Sequence, residues 1–405
     1  MEEKVSVLSL SKVRKKYNSL INLFEKSKFS SKDFYFIPTK EDWKIIKKYV
    51  STINLYITKR CNSFCKICFM NSSPSISKDF DISLEEIKSI LKRVGKNKRI
   101  VLMGGEPTVR EDLEKIIEII RKSGNHPILF TNGLKLADIS YLKKLKKCGL
   151  KQVIISFDGF DPQVYEKIGT NKNELLLKLI ALKNLNSERI LTFISTRIVK
   201  GINENVIPEI IDFLIESTKK HGSIKGVMFY GATYFGRYLL PENTVTEAQY
   251  IIEILSRTKK EIKGEYLIEF KKLLINLYNF FKKIKYPIPI SSEGLIGFYK
   301  VGSLKELIPL KNLKKINKIW EKNKLLSILK IVKQLGITPK LIVNPYDYLL
   351  NSNIFFISLG NVNTPLSHKP IDTGCIGIEK DEKLKRIIIQ SSRHEVPALE
   401  QAEGF

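Results

Sequence analysis

The chain has 405 residues, 69 Lys plus Arg against 42 Asp plus Glu, a formal net charge of +27, and 43% hydrophobic residues. That apolar fraction excludes a disordered chain, and only five cysteines exclude a disulfide-stapled secreted scaffold. No apolar run reaches the ~18 residues of a spanning helix, and Met1-Glu2-Glu3-Lys4 lacks a signal-peptide pattern, so the expectation is a cytoplasmic protein.

Residues 1–50 read as a basic helical extension, with Val13, Tyr17, Leu20, Leu23 and Phe24 at helical spacing between Ser9 and Lys26. A β–α alternation then begins. Ile53–Thr58 is a strand, and Ser83–Val94 a helix with Ser83 as N-cap and Glu86 at the capping-box position. Arg99–Gly105, Pro127–Gly133, Gln152–Gly159, Ile190–Gly201 and Lys225–Gly231 are the next five strands. The helices between them cover Arg110–Ser123, Ser140–Lys147, Asn173–Leu185 and Pro208–Lys219. Parallel neighbours need helical crossovers, so six such units imply a parallel sheet, either a partial barrel or an open doubly wound sheet. In both, chemistry belongs at the carboxyl ends of the strands.

Beyond the core over 51–236 the pattern changes. Thr244–Lys285 and Leu304–Leu335 read as helical, 286–303 as a loop, and Ile354–Leu359 and Leu384–Gln390 as short strands. This predicts a mixed, mostly helical region over 237–393 covering the substrate side, then a loose tail over 394–405.

The positive charge suits phosphate-bearing partners, and it equally suits a Lys-rich composition with no such partner. The lysines are spread along the chain, without an RNA-recognition signature or a zinc finger, which weighs against nucleic acid.

Three of the five cysteines fall within Cys61-Asn62-Ser63-Phe64-Cys65-Lys66-Ile67-Cys68, directly after the first strand. Three thiolates on one loop can hold three irons of a [4Fe–4S] cluster and leave the fourth open to a small chelating molecule. Zinc would need a fourth ligand, a disulfide hub fits neither the odd count nor the compartment, and inert buried thiols seldom cluster this way. The second strand ends in Met103-Gly104-Gly105-Glu106-Pro107-Thr108. There, two glycines allow close backbone approach to a ligand, Glu106 offers a carboxylate and backbone oxygens to an ammonium group, and Pro107 fixes the turn.

The pair of motifs resembles the radical S-adenosylmethionine (radical SAM) superfamily in cysteine spacing and in Gly104-Gly105-Glu106. The resemblance implies a partial (βα)6 barrel, with Cys61, Cys65 and Cys68 ligating a [4Fe–4S] cluster. That cluster would cleave S-adenosylmethionine to a radical able to take hydrogen from an unactivated C–H bond. It extends to Thr131-Asn132-Gly133, to Ser156 and Asp158 on the ribose or carboxylate side of SAM, and to Thr196 and Arg197 near its carboxylate. The plainer readings are an outward strand position for Ser156 and a helix-end carboxylate partner for Arg197.

Gly226–Arg237 and Asn344-Pro345-Tyr346-Asp347 are similar to the archaeal tetraether synthase-like and pterin-methylation-like branch. That branch carries further cysteine groups. Here only Cys148 and Cys375 remain, so auxiliary clusters are not expected. The resemblance implies a small-molecule or lipid substrate, an ether lipid or lipid head group, and a reducing donor such as ferredoxin or flavodoxin. Peripheral contact with an anionic membrane would go with that substrate. The alternatives are a peptide-modifying maturase and an RNA-modifying or nucleic-acid-binding protein.

Overall fold

A computed structural model describes residues 35–36, 40–68, 70–219, 222–231, 237–238, 265–266, 269–270, 272–273, 276, 295–300, 308–335, 350–351, 354–359, 375–380 and 387–390. The expected helix over 9–26, most of that over 244–285, Gly236, the 344–347 segment and the tail over 394–405 lie outside the described residues.

In chain order, β1 (Tyr35–Phe36) and α1 (Lys40–Tyr49) precede β2 (Thr52–Thr58) and the short β3 (Ile67–Cys68). Then come α2 (Leu84–Val94), β4 (Arg99–Gly104), α3 (Leu113–Lys122), β5 (His126–Thr131), α4 (Ile139–Cys148) and β6 (Gln152–Ser156). They are followed by α5 (Pro162–Lys167), α6 (Glu174–Ser187), β7 (Leu191–Ile198), α7 (Val206–Lys219), β8 (Ile224–Gly231) and β9 (Arg237–Tyr238). The remainder comprises β10 (Leu295–Lys300), α8 (Leu310–Lys322), α9 (Lys324–Leu335), β11 (Ile354–Leu359), β12 (Cys375–Lys380) and β13 (Ile387–Gln390).

The strands β2-β4-β5-β6-β7-β8 are adjacent in that order and parallel throughout. This is the expected six-unit core, an open, partial barrel of parallel strands with helical crossovers. Its helices start where their sequences dictate. Ser83 Oγ accepts from Glu86 N at 3.2 Å, and Glu86 Oε2 accepts from Ser83 N at 2.8 Å, closing the capping box of α2. Ile87, Ile90, Leu91 and Val94 then form its buried stripe.

Strand alternation sorts side chains between two layers. Ile100, Leu102, Leu129, Val153 and Ile155 join the large core under the helices. Val101, Ile128 and Ile154 form a separate inner layer, with Met103, Phe130, Phe193 and Met228 partly exposed against it. Each Ile or Leu buried in these layers contributes about 1.5–3 kcal/mol.

The distal segments extend the sheet at both edges. β12 lies parallel beside β2, with antiparallel β13 and β1 beyond it. β11 lies parallel beside β8, with antiparallel β10 beyond it. So the described part of 237–393 contributes α8 and α9 together with strands that widen the sheet. The expected loop over 286–303 is corrected within it. Leu295–Lys300 is an edge strand whose register shifts between Leu295 and Gly297, because a β-prone apolar run prevails over neighbouring Pro, Ser and Gly. Cys375 opens β12 opposite Thr52, at the amino end of β2 and six residues before Thr58. That is the opposite end of the sheet from the cysteine loop. Among the described residues, no helix is long and apolar enough to cross a membrane.

Candidate active site

The cysteine loop leaves the carboxyl end of β2 and is tied down at many points. Arg60 pairs with Asp81 at 2.6 Å, Ser63 Oγ donates to Glu174 Oε1 at 3.0 Å, and Lys66 N donates to Ile168 O at 2.8 Å. Cys61, Cys65 and Cys68 are free thiols, each partly exposed. Ser63 N donates to Cys61 Sγ at 3.4 Å and Ser72 N to Cys68 Sγ at 3.3 Å. Burial pushes the Cys61 and Cys65 thiols up to about 12. Both therefore stay protonated near neutral pH until a metal's positive charge stabilises the thiolate. Cys148, by contrast, is buried at the end of α4 and belongs to the core.

The Gly104-Gly105-Glu106 turn is zipped onto this loop. Gly105 N donates to Thr58 O at 2.9 Å and Glu106 N to Arg60 O at 2.8 Å. A Cβ on Gly104, whose φ is +133°, would lie 2.1 Å from Thr58 O, and one on Gly105 would lie 2.2 Å from Arg60 O. The neighbouring backbone therefore requires these glycines on its own account. The Glu106 carboxylate, by contrast, is corrected as an ammonium ligand. It is 1% exposed. Oε1 accepts from Thr108 N at 3.0 Å, Thr108 Oγ1 at 2.7 Å and Thr131 Oγ1 at 2.7 Å, and Oε2 from Asn132 N at 2.6 Å. A carboxylate so engaged leaves only backbone oxygens at this turn for an ammonium group. Pro107 opens the single 3-10 turn that follows, as expected of a turn-fixing proline.

The other rim residues divide by strand face. Ser156 continues the inner face of Ile154, and Arg197 that of Phe193, both partly exposed. Thr196 points the opposite way, fully buried, and its hydroxyl donates to Phe157 O at 2.8 Å. It therefore faces away from any ligand on the inner face. Asp158 is buried and accepts from Arg197 N at 2.8 Å. Burial raises its carboxyl above the usual range, and the nearby Lys178 opposes the shift. Asn132 spans the rim, its Nδ2 donating to Asn62 Oδ1 at 2.7 Å.

The residues of the cysteine loop fit an iron–sulfur cluster. Three free thiols share one loop with backbone donors on two of the sulfurs, and the buried Ser72 hydroxyl beside Cys68 has no hydrogen-bond partner among the described residues. Among the described residues, no three His, Cys, Asp or Glu side chains close around one point as a mononuclear site needs. A cubane spreads its ligands over separate irons.

The pattern of the radical SAM superfamily matches residues 55–214, which include both motifs and the strands that present them. Residues 55–214 are a radical SAM domain. The cofactors of this domain are a [4Fe–4S] cluster and S-adenosylmethionine. The chain is 33% identical over 219 residues to a 7,8-dihydro-6-hydroxymethylpterin dimethyltransferase of Methanocaldococcus jannaschii, covering 52% of this chain and 42% of the relative. It is 32% identical over 220 residues to an Fe-coproporphyrin III synthase of Methanosarcina barkeri, covering 53% and 52%. To a probable GTP 3',8-cyclase of Thermococcus kodakarensis it is 29% identical over 211 residues, covering 49% and 65%. The chain thus spans about half the length of the curated relatives it matches. Among solved structures it resembles Streptococcus suis SuiB bound to precursor peptide SuiA, with a TM-score of 0.42, 15% identity, and 62% and 59% of the two chains covered.

Two residues of the radical SAM domain escaped the sequence reading. Lys178, 3% exposed, donates to Asn132 O at 2.7 Å and Ser156 O at 2.9 Å, joining the ends of β5 and β6. Its signal was present: a lone cation inside the apolar run Leu175-Leu176-Leu177-Lys178-Leu179-Ile180. Glu174, which anchors Ser63, carried no comparable signal, because an acidic residue at a helix start is ordinary.

Proposed function

We propose that this chain is an enzyme with one [4Fe–4S] cluster on Cys61, Cys65 and Cys68, which cleaves S-adenosylmethionine reductively and takes hydrogen from an unactivated C–H bond. The observation that carries this reading is the pair of backbone bonds from Gly105 to Thr58 and from Glu106 to Arg60, which joins the two motifs on one strand-end rim. When bound, the cluster supplies the electron and S-adenosylmethionine the hydrogen-abstracting group. The chain's own residues bind and orient. Backbone oxygens of Gly104, Gly105 and Glu106 would receive the amino end, and Pro107 would fix their turn. Arg197 would meet the carboxylate, and Ser156 and Asn132 would offer hydroxyl and amide groups to the remaining polar edge. Asp158 would hold Arg197 in place through its main chain, and Thr196 would lock β7 to the end of β6.

The substrate we favour is an ether lipid or lipid head group, with ferredoxin or flavodoxin as donor. The partly exposed apolar inner face of Met103, Phe130, Phe193 and Met228 supports an apolar substrate. So does α9, which exposes Leu325, Leu326 and Leu329 beside Lys322, Lys324 and Lys333, a composition suited to peripheral contact with an anionic membrane.

The test is anaerobic reconstitution of the full chain, with iron, sulfide and 5′-deoxyadenosine measured under reductant. Cys61→Ala, Cys65→Ala and Cys68→Ala should each lose most iron and all cleavage, and Cys148→Ala should keep both. Retained cleavage in any of the first three overturns the reading. Lipid, peptide and metabolite profiles of a strain lacking the protein decide the substrate. An unchanged lipid profile beside an altered peptide or metabolite would sink the lipid assignment alone.

A further inference from the structure

Arg237 reaches back to the cysteine loop from 172 residues beyond Cys65. Its backbone pairs with Cys68 in the ribbon formed by β3 and β9. Its guanidinium grips the loop at three points. Nε donates to Cys65 O at 2.9 Å, Nη2 to Ser72 O at 2.8 Å, and Nη1 to Asn71 Oδ1 at 3.3 Å. The same group lies 3.5 Å from the ring centroid of Phe64, whose side chain is otherwise 53% exposed.

The gripped segment is a strained one. Asn71 has a φ of +52° and its N–H donates to Cys68 O at 3.2 Å. That turn swings the next N–H, of Ser72, onto Cys68 Sγ at 3.3 Å. The Ser72 hydroxyl is left buried beside it without a partner among the described residues. A planar fork holds Cys65, Asn71 and Ser72 from three separate nitrogens in fixed directions, whereas the three donors of an ammonium radiate from one atom.

We propose that Arg237 is a positioning residue for the cluster. By fixing Asn71 and Ser72 it holds the Ser72 N–H on Cys68 Sγ, and so sets how firmly the cluster is retained and how readily it is reduced. Donors to cluster sulfurs stabilise the more negative, reduced state, so losing one makes the potential more negative. The inference rests on the reading that Cys68 ligates iron. The grip of Arg237 on the loop does not.

The experiment compares wild type with Arg237→Ala, Arg237→Lys, Ser72→Ala and Arg93→Ala as full chains. Arg93, stacked on Trp43 at 5.4 Å, controls for losing an arginine elsewhere. After anaerobic reconstitution, iron content, the reduced-cluster EPR spectrum, the reduction potential and the rate of iron loss in air are measured. Arg237→Ala should show a more negative potential, shifted EPR features and several-fold faster iron loss. Arg237→Lys should resemble it, Ser72→Ala should shift the potential less, and Arg93→Ala should match wild type. Wild-type potential and EPR in both Arg237 variants overturn the proposal. In the metal-free chain, alkylation mapped by mass spectrometry should be several-fold faster at Cys65 and Cys68 in Arg237→Ala and unchanged at Cys148. Unchanged rates at all three remove the grip. A wild-type chain that takes up no iron–sulfur cluster would sink the functional reading, and the alkylation rates would still decide the role of Arg237. Denaturant unfolding of each metal-free variant separates a local effect from misfolding.

Discussion

Thr131 Oγ1 donates a 2.7 Å hydrogen bond to Glu106 Oε1, joining the end of β5 to the turn that follows β4. With Thr108 and Asn132 completing its shell, Glu106 is a buried tie between two strand ends that also fixes where the cysteine loop lies.

Glu106→Gln replaces one oxygen with an amide that cannot accept. Either the Asn132 N–H or the donors at Oε1 then lose their acceptor. The expected cost is about 1–3 kcal/mol, read as a lower denaturant midpoint in the metal-free chain, with lower iron uptake after reconstitution. An unchanged midpoint would show that the shell is not stabilising.

Gly105→Ala brings a methyl group to 2.2 Å from the Arg60 carbonyl oxygen. Backbone cannot swing aside as a side chain can, so the cysteine loop itself must move. Destabilisation of about 1–3 kcal/mol and a marked fall in iron content are expected. The contrasting variant, Gly149→Ala, has a positive φ but meets the side chain of Arg121, far from the loop, and should keep its iron.

Lys178→Met keeps length and apolar stem but strips the donor from Asn132 O and Ser156 O. It also removes the positive charge that opposes the raised pKa of Asp158. Loss of about 1–3 kcal/mol per orphaned group is the upper expectation, measured by urea unfolding at neutral pH. A variant as stable as wild type would mean that water replaces the ammonium.

Asp112 carries a pH prediction. Arg110 binds it through Nε at 2.8 Å and Nη2 at 2.7 Å, and these bonds hold its carboxyl below the usual range. A carboxyl lowered on folding stabilises the native state above its unfolded pKa, and that stabilisation is lost as pH falls through the folded value. The stability gap between wild type and Asp112→Asn should be constant above pH ~5 and shrink as the pH is lowered through ~4. A gap independent of pH would assign the effect to packing alone.

The membrane reading predicts that a Leu325→Ser, Leu329→Ser double variant binds anionic vesicles several-fold more weakly than wild type. Neutral phosphatidylcholine vesicles should bind neither protein well, and added salt should weaken wild-type binding. Equal binding by both proteins would remove α9 as the contact.

Much of this protein was legible from its residues. Short β-prone apolar runs alternating with charged helical stretches located all six core strands to within a few positions, because strands of a parallel sheet are buried on both faces and their crossover helices on one. The spacing of Cys61, Cys65 and Cys68 and the Gly104-Gly105-Glu106 turn pointed to the candidate site through their resemblance to a family, because each motif is a short contiguous run. What no local pattern carries is long-range pairing. The position of β12 beside β2, the placement of Cys375 at the far end of the sheet, the burial of Glu106 under four donors, the outward turn of Thr196 and the grip of Arg237 on Cys65 and Ser72 each depend on segments far apart in sequence. Composition excluded a disulfide-stapled scaffold and left the charge of +27 open. Only tertiary structure decided which lysines are exposed beside the leucines of α9 and which one, Lys178, is buried at the rim, because burial is a property of packing and not of residue type.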